Sequence, residues 1–113
     1  MDFNDKMFQN FLKQIKFVVY LDFANLCQHV LSPEVNISDK LLYIKEICKY
    51  LERPPKGKNI ALCNQIDRKE LLSYCQNYEL GQAINQKIFQ KSLGYAQSKL
   101  IEKKAVFVKM YKL

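Results

Sequence analysis

Asp22 and Asn25 are the residues whose types and spacing point most directly to chemistry. They follow an apolar run, Phe17-Val-Val-Tyr-Leu21, that reads as a fully buried strand, β-branched at Val18 and Val19 and aromatic at Phe17 and Tyr20. Asp22 then stands where the strand ends. A lone carboxylate there is costly to bury unless something positive pairs with it. In open α/β sheets the carboxyl ends of the strands are where ligands and metals bind. The expectation is an acidic site on a parallel sheet.

Other reactive types are present but poorly placed. Cys27, Cys48, Cys63 and Cys75 contain no CxxC pair, and the single His29 does not supply zinc spacing. Buried free thiols in a reducing compartment are the expected reading. Cys27 beside the Asp22 motif has no identified base to make it a nucleophile. His29 lies one turn beyond Asn25 and could reach the same cleft. Only three glycines occur, none clustered, so no phosphate loop is present.

The charge is uneven. The chain carries 18 Lys plus Arg against 11 Asp plus Glu, for a net +7. From Gln86 onward seven lysines oppose Glu102 alone, which is +6 and leaves +1 for residues 1–85. A basic C-terminal third fits a polyanion such as RNA or DNA. Lys91, Lys99, Lys103 and Lys104 are the candidate nucleic-acid contacts. Tyr74, Tyr78, Tyr95 and Tyr111 could stack on bases beside them. The alternatives stand next to these readings: a solvated lysine face, and tyrosines that cap the core. Arginine, the usual bidentate phosphate reader, occurs only at 53 and 68.

The elements that would position these residues alternate. Phe3, Met7, Phe8, Phe11, Leu12 and Ile15 predict an amphipathic N-terminal helix over residues 2–15. A first strand is expected from Lys16 to Asp22 and a helix from Ala24 to Leu31, ended by Ser32-Pro33. A helix over Asp39–Glu52, capped by Ser38, buries Leu41, Ile44, Cys48 and Leu51. Asn59–Asn64 is expected as a second strand. A helix begins near Arg68, with Asp67 and Glu70 as a capping box. Gly81 separates it from a long helix over Gln82–Lys103 that accommodates Gly94. Ala105–Tyr111 is expected as a third strand. Such alternation predicts a three-layer α/β fold with a mostly parallel sheet and helices on both faces.

The stretch Leu21-Asp22-Phe23-Ala24-Asn25-Leu26 resembles the opening motif of NYN domains, in the PIN-like group of ribonucleases: a buried strand, then Asp, two residues, Asn and Leu. The expected order of elements agrees, so residues 16–113 are read as a partial PIN-like, Rossmann-like domain behind the helix of residues 1–15. The resemblance implies an Mg²⁺- or Mn²⁺-dependent endoribonuclease. Asp22 would ligate the metal directly or through water, and Asn25 would orient that carboxylate or touch the substrate phosphate. Hard cations held by oxygen ligands suit phosphodiester hydrolysis, because they activate water and neutralise developing charge. Asp67 is the local candidate for a second ligand, with helix capping as its alternative.

The later acidic motifs of the family are missing, and no acidic residue follows Glu102. The expectation is therefore a truncated domain that is weakly active or inactive alone. A non-catalytic RNA-binding or protein-interaction module is the alternative. An edge strand at the C-terminal end would invite a second copy or a partner chain to complete the sheet. No apolar run approaches the roughly 18 residues that span a bilayer, and the cytoplasm is the expected location.

Overall fold

The segment that reads as the first strand is a helix. In a computed structural model that describes residues 3, 5–52 and 65–111, five helices follow one another: α1 (Lys6–Gln14), α2 (Val18–Leu31), α3 (Ile37–Glu52), α4 (Gln65–Asn77) and α5 (Gln86–Tyr111). No strand occurs among the described residues. The three-layer α/β expectation, with its PIN-like parallel sheet, is thereby corrected to an all-helical fold. No sheet edge exists among the described residues for a partner chain to extend.

The reason lies in the length over which the pattern is read. Across all of α2 the buried residues are Tyr20, Leu21, Phe23, Ala24, Cys27 and Val30. Those positions recur at three and four, which is the period of a helix. The five-residue apolar run is only the place where this stripe crosses apolar flanks. The preference of Val18 and Val19 for strands is worth a few tenths of a kcal/mol per residue, about 0.5, and burial of the stripe overrides it. Ala105–Tyr111 is corrected for the same reason. It forms the last turns of α5, with Phe107 continuing the buried row Ile88, Phe89, Ser92, Ala96 and Leu100. The expected strand over Asn59–Asn64 lies outside the described residues.

A tight link joins α1 to α2. The Phe17 amide donates to the Leu12 carbonyl (2.7 Å) and the Lys16 amide to that of Lys13 (3.2 Å). This is a Schellman closure, with Lys16 in the left-handed position at φ 60°. At the other end of α1, Asp5 caps by accepting from the Phe8 amide at 3.0 Å. The cap of α3 is Asn36 rather than Ser38. Asn36 Oδ1 accepts from the Asp39 amide (2.8 Å), and Asn36 Nδ2 donates to Asp39 Oδ2 (3.0 Å).

Packing closes a ring. α2 lies along α5 and α3, α3 against α4, and α4 against α5, while α2 stands diagonally across from α4 and α3 from α5. Phe23, Cys27, Val30, Ile44, Ile47, Leu51, Leu71, Phe89, Ala96 and Leu100 fill the centre. Each large apolar side chain there contributes about 1.5–3 kcal/mol by leaving water. Arg68 of α4 donates to the Leu51 carbonyl, satisfying an orphan acceptor at the end of α3. α1 packs on α5 and α2, and the rings of Phe8 and Phe11 each lie 5.5 Å from that of Phe107 near the end of α5.

The connection from α4 to α5 is stitched by tyrosines. Tyr74 donates its hydroxyl to the Ala83 carbonyl (3.2 Å) and accepts from the Asn85 amide (2.9 Å). Tyr78 donates to the Gln82 carbonyl (3.1 Å), and Gln82 Oε1 accepts from the Glu79 amide (2.8 Å). Gly81 turns the chain at φ 97°, a conformation that suits a residue without a Cβ.

Candidate nucleic-acid interface

Asp22 and Asn25 sit within α2, not at the end of a strand. Asp22 is exposed and Asn25 half-buried. Partial desolvation raises the Asp22 carboxyl above the usual carboxylate range, and Lys13 opposes this. The same carboxylate, after burial itself, helps to raise the phenol of Tyr50 on α3. No hydrogen bond joins the Asn25 side chain to Asp22 among the described residues. The Asn25 carbonyl instead bonds His29 Nδ1 at 2.5 Å, and the His29 ring stacks on Tyr43 of α3 with centroids 4.7 Å apart. His29 therefore ties α2 to α3.

Asp67 lies in the first turn of α4, where a carboxylate favours the helix dipole. α4 packs on α3 and α5 rather than alongside α2, so packing does not set Asp67 beside Asp22. No group of three or more His, Cys, Asp or Glu that could hold a metal occurs among the described residues. A hard cation takes six or more oxygen ligands, some of them water. The donor set expected for Mg²⁺ or Mn²⁺ does not fit this arrangement.

The cysteines are thiols in packed positions. Cys27 and Cys75 are buried and Cys48 half-buried, all three free; Cys63 lies outside the described residues. Burial, and then the neighbouring Cys48, push the Cys75 thiol up to about 12. Cys48 donates to Glu52 Oε1 (3.4 Å), which also accepts from Gln76 of α4 (3.1 Å).

The lysines of α5 form the most distinctive surface. This helix carries six lysines against one glutamate, a net +5. Lys91, Tyr95, Lys99 and Lys103 recur every four residues, so successive members are neighbours on one ridge that winds about 120° round α5, from solvent at Lys91 toward α2 at Lys103. Burial raises the phenol of Tyr20 on α2, and Tyr95 and Glu102 add to the effect. The Lys103 ammonium lies 4.5 Å from the ring centre of Phe17, and Lys99 lies 5.5 Å from that of Tyr95. Lys91 is exposed; Lys99 and Lys103 are half-buried. Lys104 takes the opposite flank, 4.6 Å over Phe8 and 5.1 Å over Phe107. Three of the four expected lysines thus follow one ridge, and Lys104 packs over the α1 ring Phe8 instead.

Among the described residues no lysine of α5 forms an ion pair, and the pair present joins Lys49 to Glu46 on α3. Sequence reasoning missed Phe17 as a member of this surface, because a strand assignment pointed it elsewhere. The four-residue recurrence of Lys91, Tyr95, Lys99 and Lys103 was the signal that could have found the track.

Comparison with protein-family models, with curated proteins and with solved structures finds no match to this chain. No helix among the described residues is long and apolar enough to cross a membrane.

Proposed function

We propose that this chain is a non-catalytic RNA-binding module whose contact surface is the Lys91–Lys103 ridge of α5. The observation that carries this reading is the row Lys91, Tyr95, Lys99, Lys103 on a helix of net +5 with no carboxylate paired to it among the described residues. Successive members stand about 6 Å apart along the axis, a spacing that suits the phosphates of one strand. Neutralising phosphates with lysine releases counterions and makes the affinity fall steeply with salt. Half-buried lysine stems keep the heads on a defined line, because their methylene chains lie on apolar surface.

The test is RNA binding measured as a function of salt, with a DNA strand of the same sequence alongside. The variant is the triple substitution Lys91→Gln, Lys99→Gln and Lys103→Gln. The slope of log affinity against log salt should fall by about 2 in magnitude, from three lost contacts at roughly 0.7 each. A triple variant with unchanged slope and affinity would refute the reading. Asp22→Asn should leave binding as it is.

A further inference from the structure

We propose that the strand held on this track is single, because Tyr95 and Phe17 are base-stacking platforms and their lysines vacate them for phosphates on binding. This rests on the RNA-binding reading. Lys99 and Lys103 both occupy ring faces in the free protein, at 5.5 Å and 4.5 Å from the ring centres. A lysine head over an aromatic ring at a half-exposed site is held only weakly. A phosphate offers it a full charge. The ring face it leaves accepts any base, since every base has a π-face.

Phe17 is the better built of the two platforms. Its ring stacks on Tyr20 with centroids 4.9 Å apart and planes at 26°. Tyr95 and Lys103 stand two turns apart on α5, about 12 Å, which leaves room for roughly two nucleotides between the platforms. In a duplex the bases are paired and stacked on one another, so neither ring could be reached without opening it. The order of lysine and ring along the ridge therefore selects for unpaired bases.

The experiment compares a fluorescein-labelled oligouridine with a blunt RNA duplex of equal length, both titrated with the full chain. The oligouridine is expected to bind at least ten-fold more tightly. Tyr95→Leu should weaken oligouridine binding roughly ten-fold with the salt slope unchanged, since stacking carries no counterions. Tyr95→Phe should bind as the parent does. Duplex binding equal to or tighter than the single strand would overturn the proposal and leave phosphate recognition standing. So would Tyr95→Leu binding like the parent while it retains helical circular dichroism. Failure of both probes to bind at low salt would overturn the RNA-binding reading itself. Tighter binding to vesicles rich in phosphatidylserine than to oligouridine would assign the track to a lipid surface and also overturn the proposal.

Discussion

Cys75 governs part of the response of this protein to alkali. Its thiol is held at about 12 by burial, against an ordinary value of 9.0. The unfolded chain loses that proton from pH 9 upward while the folded chain keeps it. The unfolded state then binds fewer protons, and stability falls as pH rises between 9 and 12. One such group contributes at most about 1.4 kcal/mol per pH unit. Tyr20, Tyr50 and Tyr78, all raised chiefly by burial, act in the same direction. Urea unfolding at pH 8 and pH 10.5 should show the loss, and Cys75→Ala should shrink it; an undiminished loss in that variant would place the effect on the tyrosines. The sequence had marked the cysteines as packed thiols, because each fell on an apolar face or in an expected strand. It could not show that Asp22 faces Lys13 and Tyr50, since those neighbours come from two other helices.

At the scale of elements, α5 combines a long buried row with a glycine at its exposed side. A Cβ added at Gly94 meets nothing within 4 Å. Gly94→Ala should therefore stabilise the protein by about 1 kcal/mol, by reducing the freedom of the unfolded chain. The thermal midpoint should rise by a few degrees, about 4, with RNA binding unchanged. A lowered midpoint would show that the backbone at 94 is not ordinary helix. The helical segments with clean three-and-four spacing were legible in the sequence: α1, α3 and most of α5. The turn at Gly81 was legible too. The misread pieces, Lys16–Asp22 and Ala105–Tyr111, are short, rich in Val and aromatic residues, and apolar on more than one side. In such a run the periods of a strand and a helix coincide over five residues, and only the partner helix decides between them.

At the scale of the whole molecule, the ring of α2 to α5 has α1 attached beside the end of its longest member. The attachment is aromatic: Phe8 and Phe11 against Phe107, with Tyr111 4.9 Å beyond it. Phe107 is 1 % exposed. Phe107→Ala should cost about 3–5 kcal/mol in urea unfolding. Hydrogen exchange should localise the damage, with α1 amides losing protection before those of α2 and α3. Uniform loss across all helices would show that α1 and the ring unfold as one. The molecule measures 48 × 31 × 19 Å, so it is thin in one direction. The candidate site was half legible at this scale. The lysines could be counted from the chain, but their division between the α2 and α1 flanks required the docking of both helices.

The tyrosine stitching between α4 and α5 bears on how the chain meets proteases. Residues 79–83 are exposed, and Leu80 is 58 % so, which on accessibility alone marks a cleavage point for chymotrypsin. A protease must first draw about ten residues into an extended form, and local opening sets the rate when cleavage is slower than reclosing. The hydroxyls of Tyr74 and Tyr78 hold Gln82, Ala83 and Asn85 in place. The bond after Leu80 should therefore resist digestion in the intact protein. Removing a single oxygen atom, as in Tyr74→Phe, should convert this segment into the first site of nicking.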